Sequence, residues 1–120
     1  MKHPVIENDP ITMVAEAFAD LYPDARYEAA YAPTITDDHG TVVCSCITFE
    51  EDGPIILLNS QAGVEVVAEA FAQELTHVAL GPDSLEHGPE YDKAYDALAE
   101  RYKEIAEERF PAQEGGDRNE

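Results

Sequence analysis

Residues 62–80, AGVEVVAEAFAQELTHVAL, are the stretch that decides the fold. Placed on a helix of 3.6 residues per turn, six apolar side chains fall on one face: Val64, Val67, Ala68, Phe71, Leu75 and Val78. Gly81-Pro82 follows directly, which is typical of the end of a helix. The stretch is therefore predicted to be a helix that buries this face in the core.

The opposite side of the same helix is not uniformly polar. Glu69, Gln73 and His77 lie there one turn apart, with Val66 and Ala70 beside them. A helix exposed to solvent on that side would carry polar residues throughout. We therefore expect this helix to be central, with other parts of the chain covering two of its sides.

Two further helices are predicted, one near each end of the chain. Asp9-Pro10 supplies a carboxylate in the N-cap position and a proline at the first helical position, and Pro23 ends this first helix. The last helix is predicted to begin near Glu90 and to end at Pro111.

Three strands are predicted between the first helix and the central one. Their ranges are 27–36, 41–49 and 54–58, and Pro33 interrupts the first, which favours the edge of a sheet. The predicted class is α+β: an N-terminal helix, a small three-stranded and mostly antiparallel sheet, a central active-site helix and a C-terminal helix.

Length and composition indicate one domain. The chain has 120 residues, of which 44% are hydrophobic, enough for a single modest core. Residues 1–110 are predicted to form this domain, and residues 111–120 a disordered acidic tail.

The charge is strongly negative. Twenty-six acidic residues against seven basic ones give a formal net charge of −19, so nucleic acid and anionic membrane would be repelled. Two interpretations remain open: a highly solvated surface suited to a salty cytoplasm, or an acidic decoy for a basic groove on another protein. Cys44 and Cys46 are too close in sequence for an unstrained disulfide, and no apolar run resembles a signal peptide or a membrane span. A cytoplasmic protein with reduced thiols is expected.

Chemistry is indicated by Gln73 and His77, which are four residues apart on the central helix. Their Cβ atoms are expected about 5–6 Å apart, close enough for both side chains to hold one metal ion. With Glu74 between them the pattern is Gln-Glu-x-x-His, where zinc proteases have His-Glu-x-x-His. Further on, the segment Glu86-His87-Gly88-Pro89-Glu90-Tyr91 could bring His87 back toward His77.

These two segments resemble the small zincin-like metallopeptidases, especially the SprT-like proteins and the short bacterial and phage proteins related to them. In that group a third histidine follows the motif helix in a His-Gly-x-Glu-aromatic context, which His87-Gly88-Pro89-Glu90-Tyr91 matches. The resemblance covers roughly residues 27–108. It implies that His77 and His87 bind zinc and that Glu74 is the general base that takes a proton from zinc-bound water. It also implies that the edge strand of the sheet holds an extended peptide.

Gln73 departs from the pattern of this group, because it stands where the first histidine ligand belongs. A glutamine amide is a poor zinc donor beside imidazole, thiolate or carboxylate. Three outcomes are compatible with the substitution: an inactive site, replacement of the ligand by Glu69 or Glu86, or weak ligation by Gln73 of another metal.

Two functions follow from these observations. The first is a zinc-dependent peptidase, weak or inactive, with Glu74, His77 and His87 at its centre and a peptide or protein as substrate. The alternative is a non-catalytic domain on the same fold that binds a protein partner with its cleft or its acidic surface. The sequence does not indicate an oligomeric state.

Overall fold

Three helices and three strands make up the described part of the chain. The structure is a computed structural model and describes residues 9–82 and 88–110. In chain order the elements are α1 (Pro10–Leu21), β1 (Glu28–Ala32), β2 (Ser45–Glu50), β3 (Gly53–Asn59), α2 (Val64–Leu80) and α3 (Pro89–Arg109). The predicted α+β class and order of elements are confirmed. The tail predicted at residues 111–120 lies outside the described residues.

The sheet is mixed, with β3 in the centre. The strand order is β1-β3-β2, and β3 pairs antiparallel with β2 and parallel with β1. The expectation of a mostly antiparallel sheet was therefore wrong for one of the two pairings. β3 carries Ile56 and Leu58, both almost fully buried, and this most apolar strand takes the central place. β2 lies on the other side of β3 from β1, and β1 and β3 run in the same direction.

The segment between β1 and β2 is less regular than predicted. β1 ends at Ala32, directly before Pro33, and it lies at an edge of the described sheet as expected. Thr36 and Val42 form an isolated bridge, so the predicted strand at 41–49 begins only at Ser45. The Asp37 carboxylate accepts hydrogen bonds from two backbone N–H groups of the turn inside the bridge, those of His39 and Thr41.

Helix α2 lies against the sheet on one side and against α1 and α3 on others. Val67, Phe71 and Leu75 are buried, as the apolar face predicts, whereas Val64 is exposed because it is the first residue of the helix. On the opposite side Ala70 and His77 are buried, but Glu69 and Gln73 are exposed. The second side of α2 is therefore covered only in part.

Both ends of α2 are fixed by backbone geometry. The N-cap is Gly63, which supplies no side-chain hydrogen bond. Asn59 acts earlier: its side-chain amide donates to the Val43 carbonyl and its Oδ1 accepts from the Gln61 N–H. At the other end Gly81, with φ of 94°, donates its N–H to the His77 carbonyl at 2.8 Å. That φ favours glycine, so the predicted end of the helix is confirmed.

None of the helices within residues 9–82 and 88–110 is long and apolar enough to cross a membrane.

The start of α1 provides a stability test. The Asp9 carboxylate accepts hydrogen bonds from the Thr12 N–H at 3.0 Å and from the Thr12 hydroxyl at 2.7 Å, and these bonds lower the pKa of Asp9. We expect Asp9→Ala to lower the free energy of unfolding by about 1 kcal/mol at neutral pH, as for other lost N-caps. Urea denaturation would measure the loss.

The pH dependence of that loss follows from the direction of the pKa shift. A carboxyl whose pKa is lowered by folding stabilises the fold above its ordinary pKa of about 4, and this contribution disappears as pH falls through the lower value. The difference between wild type and Asp9→Ala should therefore shrink in acid. Asp24→Ala, an exposed aspartate in the loop after α1, is the matched control and should change little. Equal losses for the two variants would contradict the N-cap assignment.

Candidate functional site

The carboxylate of Glu74 points from α2 toward the edge strand β2. Its Oε2 accepts a hydrogen bond from the Ser45 hydroxyl at 2.6 Å, and both side chains are half-buried. Hydrogen bonds of this kind, from a hydroxyl to an ionised carboxylate, are among the stronger ones in proteins. The position of this carboxylate is therefore fixed by a contact between helix and sheet.

The register of β2 explains why Ser45 faces the helix. Ile47 packs against the core, and residues two apart in a strand share a face, so Ser45 lies on the face that meets α2. Cys46 is half-buried, and its thiol is free, as is that of Cys44. Burial raises the pKa of Cys46 and the negative charge of Glu74 raises it further, so this thiol lies within the electrostatic reach of the carboxylate.

His77 lies nearly one helical turn beyond Glu74 and is 7% exposed. Its imidazole packs against the ring of Tyr91 in the first turn of α3, with ring centroids 5.0 Å apart and planes tilted by 45°. The Tyr91 hydroxyl donates to the backbone carbonyl of Gln73 at 3.3 Å. Tyr91 therefore joins the 73–77 turn of α2 to the start of α3.

The environment of Tyr91 is apolar and negatively charged. Burial is the larger cause that raises the pKa of its phenol to about 12, and the Glu74 charge is the next. Glu74 is thus close to Tyr91 as well as to Ser45. The structure brings together four side chains from three elements: Ser45, Glu74, His77 and Tyr91.

Gln73 lies one turn before His77 on the same side of α2, but its side chain is exposed whereas that of His77 is buried. The Gln73 side chain lines a groove between α2 and α3, together with Glu69 and Asp92. Glu69, one of the two candidate replacement ligands, is exposed in the same groove. The other candidate, Glu86, and the predicted ligand His87 lie outside the described residues. Gly88, which follows His87 in sequence, is the N-cap of the helix that carries Tyr91.

The chemistry of the donor set decides how well zinc fits. Catalytic zinc takes three protein ligands and an open position. At this site the described residues offer the imidazole of His77 and the carboxylate of Glu74, which is hydrogen-bonded to Ser45. Within residues 9–82 and 88–110 no group of three histidine, cysteine, aspartate or glutamate side chains is placed to hold a metal ion. The described residues alone do not make a complete zinc site, and a complete one needs His87 or another donor.

Ser45 is the site residue that sequence reasoning missed. Alternate residues of a strand share a face, so Ser45 lies in one row with Val43, Ile47 and Phe49 and is the polar residue of that row. A hydroxyl on an otherwise apolar face was the available signal. Tyr91 is the last residue of the motif segment His87-Gly88-Pro89-Glu90-Tyr91, but the resemblance implies no role for it.

No family model, curated protein or solved structure matches this chain. The resemblance to the zincin-like metallopeptidases therefore depends on the motif residues themselves. A fold of this class hosts many activities, so the fold alone does not specify a function.

The pKa of Tyr91 provides a direct test of the site geometry. We expect one phenol to titrate near pH 12 in an alkaline absorbance titration, and Tyr91→Phe to remove that transition. Glu74→Gln should lower the pKa of this phenol, because the carboxylate charge is one of its causes. Tyr31→Phe is the control, since Tyr31 is 58% exposed.

The same shift has a consequence for stability. A phenol whose pKa is raised by folding stabilises the fold fully below its ordinary pKa of about 10, and this contribution is lost as pH rises toward 12. Circular dichroism recorded along the titration would show at which pH the chain unfolds. It would therefore distinguish ionisation of the phenol in the folded protein from ionisation that follows unfolding. If Tyr91→Phe instead lost an absorbance transition near pH 10 and kept the one near pH 12, the buried position of Tyr91 near Glu74 would be contradicted.

Proposed function

We propose that this chain is a zincin-like metallopeptidase-type domain with a degenerate motif, and that its substrate is a peptide or protein. The observation that carries the proposal is the half-buried Glu74 carboxylate, held by Ser45 and three residues before His77 on the same helix. A purely structural helix gains little from a carboxylate in that place, because partial burial of a charge is costly. A carboxylate held in a fixed position can act as a general base on a water molecule within hydrogen-bond reach.

The roles of the residues follow from their contacts. Glu74 takes a proton from the attacking water, and Ser45 fixes the rotamer of that carboxylate by donating to Oε2. Tyr91 packs on the His77 ring and limits its orientation. His77 and His87 are the proposed zinc ligands, and zinc, when bound, would supply a water of lowered pKa and a polarised carbonyl.

The edge strand supports a peptide as substrate. Among the described strands β2 pairs with β3 alone, so its other edge offers backbone N–H and C=O groups to an extended segment. Ser45, the first residue of β2, holds Glu74. A peptide added along β2 would therefore run past the base at one end of the strand.

The second candidate function is binding without catalysis, and Gln73 favours it. The residue replaces a strong zinc donor with a neutral amide, and its side chain faces the α2–α3 groove. A domain that has lost one ligand but keeps its cleft and its acidic surface can still hold a partner.

A peptidase assay separates the two functions. We expect Glu74→Gln to lower the hydrolysis of a casein or peptide substrate about 10²- to 10⁴-fold, the usual cost of losing a general base. The carboxamide preserves the shape of the side chain, so circular dichroism and the midpoint of unfolding should change little.

Glu100→Gln, an exposed glutamate on α3, is the control and should keep the wild-type rate. Activity that survives in Glu74→Gln would exclude Glu74 as the base. Absence of hydrolysis in the wild type, with zinc supplied, would favour the binding function.

A further inference from the structure

A groove between α2 and α3 extends from the Gln73 side of the helix toward α1. Its apolar end, about 350 Å³ in volume, is lined by side chains from all three helices, among them Val14, Ala68 and Leu98. Its acidic end, about 380 Å³, continues past Gln73. Glu69 and Tyr95 line both parts, so the two form one surface, which we call the α2–α3 groove.

Acidic residues from both helices face each other across this groove. Glu65 and Glu69 line it from α2, and Asp92 and Asp96 from α3. No lysine or arginine of the described residues lines either part. Burial raises the pKa of Tyr95, and the charges of Glu69 and Asp96 raise it further, so carboxylates of the two helices converge on this phenol.

We propose that the α2–α3 groove binds a short peptide segment that carries lysine or arginine together with one or two apolar side chains. The proposal rests on the binding function given second above and names its surface and partner chemistry. Basic side chains would pair with the four carboxylates, and an apolar side chain would enter the end lined by Ala68 and Leu98. Complementary charge steers such a partner to the groove and apolar contact holds it there.

The charge of the chain argues against other occupants. A second copy would bring the same net charge of −19 to an acidic groove, and nucleic acid or anionic lipid would be repelled equally. The groove extends along α2 from Glu65 to Gln73, about 12 Å at 1.5 Å per residue. That length suits about four residues of extended peptide.

Fluorescence anisotropy tests the proposal on the full chain. The probe is a labelled 12-residue peptide with the repeat Leu-Lys-Lys-Leu, and the control probes are Leu-Glu-Glu-Leu and Gly-Lys-Lys-Gly repeats. We expect the lysine–leucine probe to bind, the glutamate probe not to bind, and the glycine probe to bind at least about tenfold more weakly. Binding should weaken as salt is raised.

Two groove variants and two matched controls locate the binding. Replacing Glu65, Glu69, Asp92 and Asp96 with their amides should weaken binding about tenfold or more, since each exposed pair contributes modestly. The control replaces four exposed acids outside the groove, Asp24, Asp38, Glu51 and Glu107, and so has the same net charge. Ala99→Trp should block the apolar end, whereas Ala97→Trp, also exposed on α3, should not.

The outcomes separate this inference from the functions above. If the groove charge variant and the control charge variant weakened binding equally, the binding would be non-specific electrostatic attraction. That result would overturn the groove assignment. Binding that neither groove variant weakens would also overturn it, while the binding function itself would stand. If sedimentation found a dimer that Ala99→Trp dissociates, the occupant of the groove would be a second copy of the chain. If a synthetic peptide of residues 1–8 competed with the probe, the occupant would be a segment of the same chain.

Discussion

The packing of α2 is the constraint on which the rest of the described structure depends. Phe71 and Leu75 bury one face of the helix against the sheet and α1, and α3 covers part of the opposite face. Two polar positions, Glu74 and His77, lie where these coverings meet. Burying a polar group without a partner costs free energy. The Glu74 carboxylate accepts a hydrogen bond from the Ser45 hydroxyl, and the His77 imidazole packs against the Tyr91 ring.

The contact between Ser45 and Glu74 links the sheet to the candidate site. It connects the first residue of an edge strand to a helix residue 29 positions later in the chain, so the site exists only when the sheet and α2 are both in place. Tyr91 makes a second connection, from the start of α3 to the backbone of Gln73 and the ring of His77. The exposed side chain of Gln73 lines the α2–α3 groove, which Tyr91 also lines. The candidate site and the acidic groove are therefore adjacent, and Tyr91 belongs to both.

Local signals in the sequence predicted the helices well, and the reasons are physical. Asp9-Pro10 and Gly81-Pro82 restrict backbone conformation directly, so α1 begins and α2 ends where these residues indicate. The predicted helix over residues 73–77 is confirmed, so Gln73 and His77 lie one turn apart on α2. The parallel pairing of β1 with β3 could not be predicted in this way, because alternation within a strand carries no information about which strand takes the centre.

The Ser45–Glu74 contact was unpredictable for a related reason. A hydrogen bond across 29 residues depends on how the helix is rotated on the sheet, which one helical wheel does not determine. The wheel did place Gln73 and His77 on one side of α2, but it could not show that α3 covers His77 and leaves Gln73 exposed. The positions of His87 and Glu86 stay predictions, since both lie outside the described residues.

Zinc content is the measurement that tests the central claim most directly. Elemental analysis of the protein purified without added zinc or chelator should find about one zinc per chain, and much less in His77→Ala and in His87→Ala. His39→Ala, in the exposed turn after β1, should keep the wild-type content. Absence of zinc in the wild type, even after soaking with zinc, would contradict the proposed metal site and leave binding as the function of this domain.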